Sequence, residues 1–271
     1  MEAREILPIA VTAAREAGAL IKDHFGKVHQ VTFKGAINPV TEVDLASEAL
    51  ICRHLKAAFP DYAILAEEMG GAPWNTPGAL WIIDPLDGTK NFAHNFPHIG
   101  VSIGLLYDGM PELAVIYDPL RDELFTAQRG KGAALNGDPL HVSAVADLAD
   151  ALLGTGFPYD GRTAADNNTR RLDHFLRRSQ GVRRAGAAVL DLAYVACGRL
   201  DGFWELDLKP WDVAAGILLV LEAGGRVTDF KDRPLPLSGS RVVASNGWIH
   251  EALLRVIREG AKAPRPDFST S

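Results

Sequence analysis

The segment Leu80-Trp81-Ile82-Ile83-Asp84-Pro85-Leu86-Asp87-Gly88-Thr89 constrains this chain more than any other. Its four leading residues are apolar, β-branched and aromatic ones among them, and read as a strand. The strand runs without a spacer into two carboxylates. Pro85 has no N–H for a ladder and fixes its own φ, so regular pairing stops there. Asp84 and Asp87 bracket a tight turn and can converge on one point. Gly88 and Thr89 follow, where a helix can begin. The amides of a helix's first turn lack intrahelical partners and suit a phosphate. Taken alone, Asp-x-x-Asp is also ordinary turn and cap chemistry.

Further acids sit at comparable places. Leu65-Ala66-Glu67-Glu68 puts two at the end of another apolar strand, which alone fits a solvated strand end. Pro210-Trp211-Asp212-Val213-Ala214-Ala215-Gly216 opens a helix that is apolar nearly all round, with Asp212 in its first turn, where it also complements the helix dipole. Thr41-x-x-Asp44 fits a capping box, with Asp in place of the usual Glu or Gln. No His or Cys falls within the Glu67, Asp84–Asp87 and Asp212 motifs. An all-oxygen donor set selects Mg²⁺, Mn²⁺ or Ca²⁺ over zinc. Mg²⁺ held by carboxylates and substrate phosphate is the usual arrangement for phosphoryl chemistry.

Around these motifs, spacing predicts helices over 4–25 and 42–58 and strands at 63–66 and 80–83. A meander follows at 100–107, 113–117 and 124–127, with Asp108-Gly109 as its first turn. From about residue 150 strands alternate with helices: strands at 152–154, 203–206, 226–228 and 242–244, helices over 163–178, 189–196, 210–224 and 248–258. The expected organisation is an N-terminal α+β subdomain over 1–145, a C-terminal α/β subdomain over 146–260 and a frayed tail over 261–271. No repeat or low-complexity linker separates the halves.

At 271 residues the chain can bury a sizeable core. Its net charge of −6 gives no basic footprint for nucleic acid, so an anionic ligand needs local cations. Arg183 and Arg184 are cations that could reach a substrate or a dimer partner, with a solvated edge the favoured reading. Two cysteines, Cys52 and Cys197, lie in apolar stretches and read as free buried thiols, which fits a cytoplasmic setting. The first residues do not read as a signal peptide, and no apolar run is long enough to span a membrane.

Asp84-Pro-Leu-Asp-Gly-Thr89, followed by Trp211-Asp-Val-Ala-Ala-Gly216 and preceded by Glu67-Glu68, resembles the signatures of the inositol monophosphatase family. The resemblance spans roughly residues 5–258, with Asn91-Phe92 and Val101-Ser102-Ile103 included. It implies a mixed α and β fold, a layered αβαβα sandwich of the sugar-phosphatase type. The antiparallel sheet falls in the N-terminal half and the α/β layer in the C-terminal half.

By the same resemblance, Glu67, Asp84 and the Leu86 carbonyl hold one Mg²⁺. Asp84, Asp87 and Asp212 hold a second, and a third, weaker ion joins near Glu67, with Mn²⁺ a substitute. Thr89 and Asp44 orient the attacking water. Asp87, Gly88, Thr89 and Asp212 meet the phosphate ester. Gly186-Ala187-Ala188 matches the substrate loop, although many members carry Ser or Thr where Ala187 stands. Glu205 matches a glutamate that contacts inositol hydroxyls. The implied reaction is hydrolysis of inositol 1-phosphate by a cytoplasmic, lithium-sensitive homodimer with no membrane or nucleic-acid partner.

Close alternatives share the metal chemistry: fructose-1,6-bisphosphatase, histidinol-phosphate phosphatase and 3′-phosphoadenosine nucleotide phosphatase. Nucleotide enzymes also show Asp-Gly-Thr-Lys but usually continue with Glu-Phe, where this chain has Asn91-Phe92. An alternative of another class is a partner protein of the bacterial transcription machinery, as some relatives are.

Overall fold

A computed structural model describes residues 6–27, 31–34, 38–158, 166, 168–234 and 237–262. The chain opens with α1 (Ile6–His24), a hairpin of β1 (Val31–Lys34) and β2 (Asn38–Thr41), and α2 (Glu42–Ala58). Strands β3 (Ala63–Ala66), β4 (Gly70–Gly71) and β5 (Ala79–Asp87) follow, then the short helix α3 (Thr89–Ala93). The meander is β6 (Gly100–Tyr107), β7 (Met110–Asp118), β8 (Glu123–Gln128), β9 (Ala133–Leu135) and β10 (Asp138–Pro139). The C-terminal part contains β11 (Leu152–Thr155), α4 (Thr169–Leu176), β12 (Gly181–Arg183) and α5 (Ala188–Ala196). It closes with β13 (Gly202–Leu206), α6 (Pro210–Glu222), β14 (Arg226–Thr228), β15 (Arg241–Ser245) and α7 (His250–Lys262).

These elements form five layers. Helices α1 and α2 cover one face of an eight-stranded sheet ordered β10-β9-β8-β7-β6-β5-β3-β4. Helices α5 and α6 cover its other face and also pack on a five-stranded sheet ordered β12-β11-β13-β15-β14. Helices α4 and α7 close the outer face of that second sheet. The order is αβαβα.

Strand alternation explains the layering. In β5, Trp81 and Ile83 face the α1/α2 side, while Leu80 and Ile82 face α5 and α6. In β13, Phe203 faces the central helices and Trp204 the outer pair. Strands covered on both sides read as continuous apolar runs. Helix α6 lies between two sheets, and its residues from Val213 to Val220 are all buried.

The large sheet is antiparallel except where β3 runs parallel to β5, Ala66 opposite Ile83. The small sheet is parallel across β12-β11-β13 and antiparallel across β13-β15-β14. Several expectations shift. The helix expected over 163–178 is Thr169–Leu176, and residues 163–165 and 167 lie outside the described residues. Its N-cap, Asn168, is drawn into the core with φ of 71°. The last helix runs from His250 to Lys262, into the expected tail. The helix runs through Gly260 and stops short of Pro264, and Leu253, Leu254, Val256 and Ile257 keep it on the sheet. Residues 263–271 of that tail, and residues 4 and 5 of the first expected helix, lie outside the described residues. The β1/β2 hairpin and the two- or three-residue strands β4, β9, β10 and β12 have no counterpart among the expected strands.

Candidate active site

Strand β5 enters the site directly. Its pairing with β6 is regular up to Asp84 and resumes only at Asp87, so the Pro85-Leu86 step bulges out of the ladder. The Leu86 amide turns back to Asp84 Oδ1 at 3.1 Å, and the Ser47 hydroxyl of α2 donates to the Pro85 carbonyl at 2.8 Å. Gly88 then takes φ of 90°, where a Cβ would lie 2.9 Å from the His98 carbonyl oxygen. Only glycine fits that close approach in the left-handed region. Thr89 begins α3.

Three carboxylates converge. Asp84, Asp87 and Asp212 each offer an oxygen within 4.8 Å of the others. Each has a mount of its own: the Asp84 turn just described, the Val189 amide donating to Asp87 Oδ2 at 2.8 Å, and the Lys209 amide donating to Asp212 Oδ2 at 2.6 Å. The last is the capping-box reach of a third helical residue back to the cap amide.

Glu67 does not join those three at that mutual spacing, but it lines the same cavity and its charge acts on both Asp84 and Asp87. The parallel pairing of β3 and β5 puts it there, its amide donating to the Ile83 carbonyl at 3.2 Å. The Asp84 and Asp87 carboxyls are held well above the ordinary 3.8, first by burial and then by their acidic neighbours. Burial, above all, pushes Asp212 up to about 6, against the Lys209 contacts that lower it.

Behind this cluster lies a second layer. Asp44 is 1% exposed in the first turn of α2 and does not line the cavity. Its Oδ2 accepts from the Thr41 amide at 2.8 Å and hydroxyl at 2.5 Å, and its Oδ1 accepts from the Thr89 hydroxyl at 2.8 Å. The capping box is thus present, and the same carboxylate reaches the site. Burial raises the Asp44 carboxyl even against these bonds. The Thr89 hydroxyl also lies 3.2 Å from the Leu86 carbonyl.

The cavity holds about 240 Å³. Gly186 and Ala188 form its wall at the expected substrate loop, whereas Ala187 is 1% exposed and turned into the core. Asn91 ties this loop to α3, its side-chain amide donating to the carbonyls of His98 and Ala185 at 2.7 and 2.9 Å. Glu205 lines the far side, its carboxyl raised well above the ordinary 4.5 by burial and then by Asp191, Asp212 and Asp87. Arg184, for which a solvated edge was the favoured reading, lines the cavity with Lys90 and Lys209, while Arg183 does not. The loop from β13 to α6 puts Lys209 at the cavity wall, exposed and with its Nζ 2.9 Å from Asp207 Oδ1, a placement that residue spacing alone does not reveal.

The acid set fits divalent cations. Every convergent donor is a carboxylate oxygen, and clustered buried carboxylates ionise together only when cations neutralise them. A layered sheet-and-helix fold with this pocket defines a metal-dependent phosphatase.

Comparison with known proteins makes the assignment specific. The chain belongs to the inositol monophosphatase family, whose sequence profile matches residues 2–262. It is 48% identical over 252 residues to the inositol-1-monophosphatase of Synechocystis sp., covering 93% of this chain and 88% of that one. It is 49% identical over 264 residues to the Nus factor SuhB of Pseudomonas aeruginosa, covering 93% and 96%. The structure of inositol monophosphatase from Anabaena superposes with a TM-score of 0.87 at 44% identity, covering 98% of each chain.

Proposed function

We propose that this chain hydrolyses phosphate monoesters of small polyols, inositol 1-phosphate first among them, to polyol and phosphate. The observation that carries this reading is the meeting of Asp84, Asp87 and Asp212 in one cavity with Glu205. In this reading Glu67, Asp84 and the Leu86 carbonyl hold one Mg²⁺, and Asp84, Asp87 and Asp212 hold another. A third ion near Glu67 and replacement by Mn²⁺ belong to the same reading. Bound cations would supply Lewis-acid activation of water and charge neutralisation at the phosphoryl and leaving oxygens.

The protein's own groups do the rest. Thr89 gives its proton to Asp44, so its oxygen is free to accept one from a water in the cavity. Asp44, raised by burial, is the base behind that hydroxyl. The Gly88 and Thr89 amides meet phosphate oxygens where charge redistributes. Glu205 and the backbone at Gly186 and Ala187 hold polyol hydroxyls, with no side-chain hydroxyl at position 187. Lys90 and Arg184 supply the local cations that an acidic protein needs for an anionic substrate.

A homodimer, inhibition by Li⁺ as a competing small hard cation, and a cytoplasmic setting complete the reading. Two free thiols, Cys52 and Cys197, fit the last. The test is turnover of myo-inositol 1-phosphate, fructose 1,6-bisphosphate, histidinol phosphate and 3′-phosphoadenosine 5′-phosphate, each with Mg²⁺ and with chelator. Fastest Mg²⁺-dependent turnover of the inositol ester supports the proposal, and negligible turnover of it beside rapid turnover of another ester overturns it.

The likeness to a Nus factor favours a second reading, in which the chain also acts as a partner of the transcription machinery. Asp84→Asn should then remove phosphatase activity and leave partner binding intact.

A further inference from the structure

We propose that Glu48 is a positioning residue for the metal site: its buried carboxylate fixes the turn that carries Glu67. The inference rests on reading Glu67 as a metal ligand. Asp44, Ser47 and Glu48 lie three and four residues apart on α2 and so share one helix face. All three are buried, Ser47 and Glu48 completely. Asp44 holds Thr89 and Ser47 holds the Pro85 carbonyl. Glu48 does the corresponding work on the other acidic turn. Its Oε2 accepts from the Glu68 amide at 2.8 Å and its Oε1 from the Met69 amide at 2.7 Å.

Those two amides belong to a three-residue hairpin, Glu67-Glu68-Met69, between β3 and β4, closed where Ala66 pairs with Gly70. Gly70 has φ of 70°, the left-handed residue that such a hairpin uses. The outer side of the hairpin is open, with Met69 62% exposed. Glu48 therefore grips the tip from inside. Among the described residues no Lys, Arg or His pairs with it, so two charge-assisted amide bonds are what compensate its burial. An apolar side chain would fill the space with less desolvation cost. A carboxylate is needed only if the two amides must be held. Ser47 and Glu48, adjacent in sequence, thus set the Asp84 turn and the Glu67 turn on one rigid helix.

The step from Glu48 to the metal passes through Glu67 alone. Residues that orient a ligand without touching the ion typically change affinity by about 10–100-fold. In Glu48→Gln one end of the side chain becomes a donor facing a donor, so one of the two amides loses its acceptor. The test is binding of Mn²⁺ alone, without substrate, by electron paramagnetic resonance, on wild type, Glu48→Gln, Glu48→Asp and Glu67→Gln, with the Mg²⁺ concentration for half-maximal turnover as a second readout. Glu48→Gln should raise the Mn²⁺ dissociation constant about 10-fold or more. KM for the ester at saturating Mg²⁺ should stay within about twofold, because the side chain touches no substrate. Glu48→Asp, which keeps the charge but is too short for both amides, should fall between.

Unchanged Mn²⁺ affinity in Glu48→Gln, beside weakened affinity in Glu67→Gln, overturns the clamp. Unchanged affinity in Glu67→Gln overturns the ligand reading instead. If the Glu48 variants do not fold, amide hydrogen exchange on the unaltered protein decides. Glu68 and Met69 amides as protected as those of α2 support the clamp, and exchange at the rate of an open turn overturns it.

Discussion

The Glu67 amide donates to the Ile83 carbonyl at 3.2 Å, one residue before Asp84. This bond continues the parallel register of β3 on β5, in which Ala66 lies opposite Ile83. Parallel pairing makes both strands end at the same edge. Glu67 and Asp84, with sixteen residues between them, thereby deliver their carboxylates to one place. An antiparallel pairing would carry Glu67 to the opposite edge of the sheet. The one parallel pair in an otherwise antiparallel sheet is therefore the pair that assembles the site.

Removing one carboxylate should separate activity from stability. Asp84→Asn keeps the Oδ1 acceptor for the Leu86 amide, so the turn survives. It removes an acid central to the cluster, and turnover with Mg²⁺ should fall by more than about 100-fold, since even outer partners of metal ligands cost 10–100-fold. In chelator the same variant should melt higher than wild type by a few degrees, at roughly 2–4 °C per kcal/mol. A steady-state assay and a thermal melt check the two halves.

Metal-free stability should depend on pH with a definite sign. Asp84, Asp87 and Asp212 hold their protons more tightly folded than unfolded, Asp212 to about 6 and the other two well above the ordinary 3.8. Such groups contribute fully below 3.8, and the contribution fades as pH rises through their folded values. In chelator the melting temperature should fall from pH 6.5 to 8, above the range in which His250 titrates. Cations bind the ionised form and release protons, so Mg²⁺ should raise the midpoint most at the alkaline end. Melts at pH 5 and pH 8, with and without Mg²⁺, measure this directly, and a metal-induced rise no larger at pH 8 than at pH 5 would count against it.

How far sequence reaches is visible in particular residues. Asp84 and Asp87 were legible as a turn because Pro85 and Gly88 punctuate an apolar strand, and as ligands only in company with Glu67 and Asp212. Asp44 was legible as a capping box, while its place beside Thr89 came only from the family resemblance, and the structure holds both contacts. Ser47 and Glu48 carried a readable signal, helical spacing from Asp44, but a Ser and a Glu on a helix are ordinarily solvent-facing. Their burial depends on the hairpin and bulge that dock over α2, which is tertiary information. The Val189 amide on Asp87 has no sequence signature, because any residue supplies a backbone N–H. Arg184 lines the cavity on a loop that Asn91 holds by the Ala185 carbonyl, and that contact comes from a segment about ninety residues away.

His250 should make the fold acid-sensitive away from the active site. Its ring is buried between Thr228 Oγ1 at 2.9 Å and Ser245 Oγ at 2.8 Å. The Thr228 hydroxyl gives its proton to the Asp229 carbonyl, so the neutral ring donates from Nε2 and accepts the Ser245 proton at Nδ1. Burial, then the Arg226 charge, lowers the imidazole from 6.5 to about 4. A lowered value means the stability is present above 6.5 and drains away as pH falls toward about 4, on the order of 3 kcal/mol in all. His250→Gln should be less stable at pH 7 yet lose less on acidification to pH 4.5, as denaturant midpoints at the two values would reveal. A parallel pH dependence in variant and wild type would remove His250 as the cause.

Gly156 should prove to be the residue that keeps Glu205 in the cavity. A Cβ at Gly156 would lie on the Glu205 carboxylate, far inside contact distance. The glycine cannot retreat, because the Asn168 side-chain amide donates to its carbonyl at 2.7 Å while Asn168 Oδ1 accepts from the Trp204 indole at 2.8 Å. Gly156→Ala must therefore displace Glu205 from the polyol wall and leave the acids at Asp84, Asp87 and Asp212 in place. KM for inositol 1-phosphate should rise roughly 10-fold, about 1.4 kcal/mol, the scale of one lost hydrogen bond, with Mn²⁺ affinity unchanged. Because displacing Glu205 removes a polyol contact, turnover of an aryl phosphate that lacks the hydroxyls should change less than that of the inositol ester. Equal losses on both substrates would mean that Glu205 does not read the polyol.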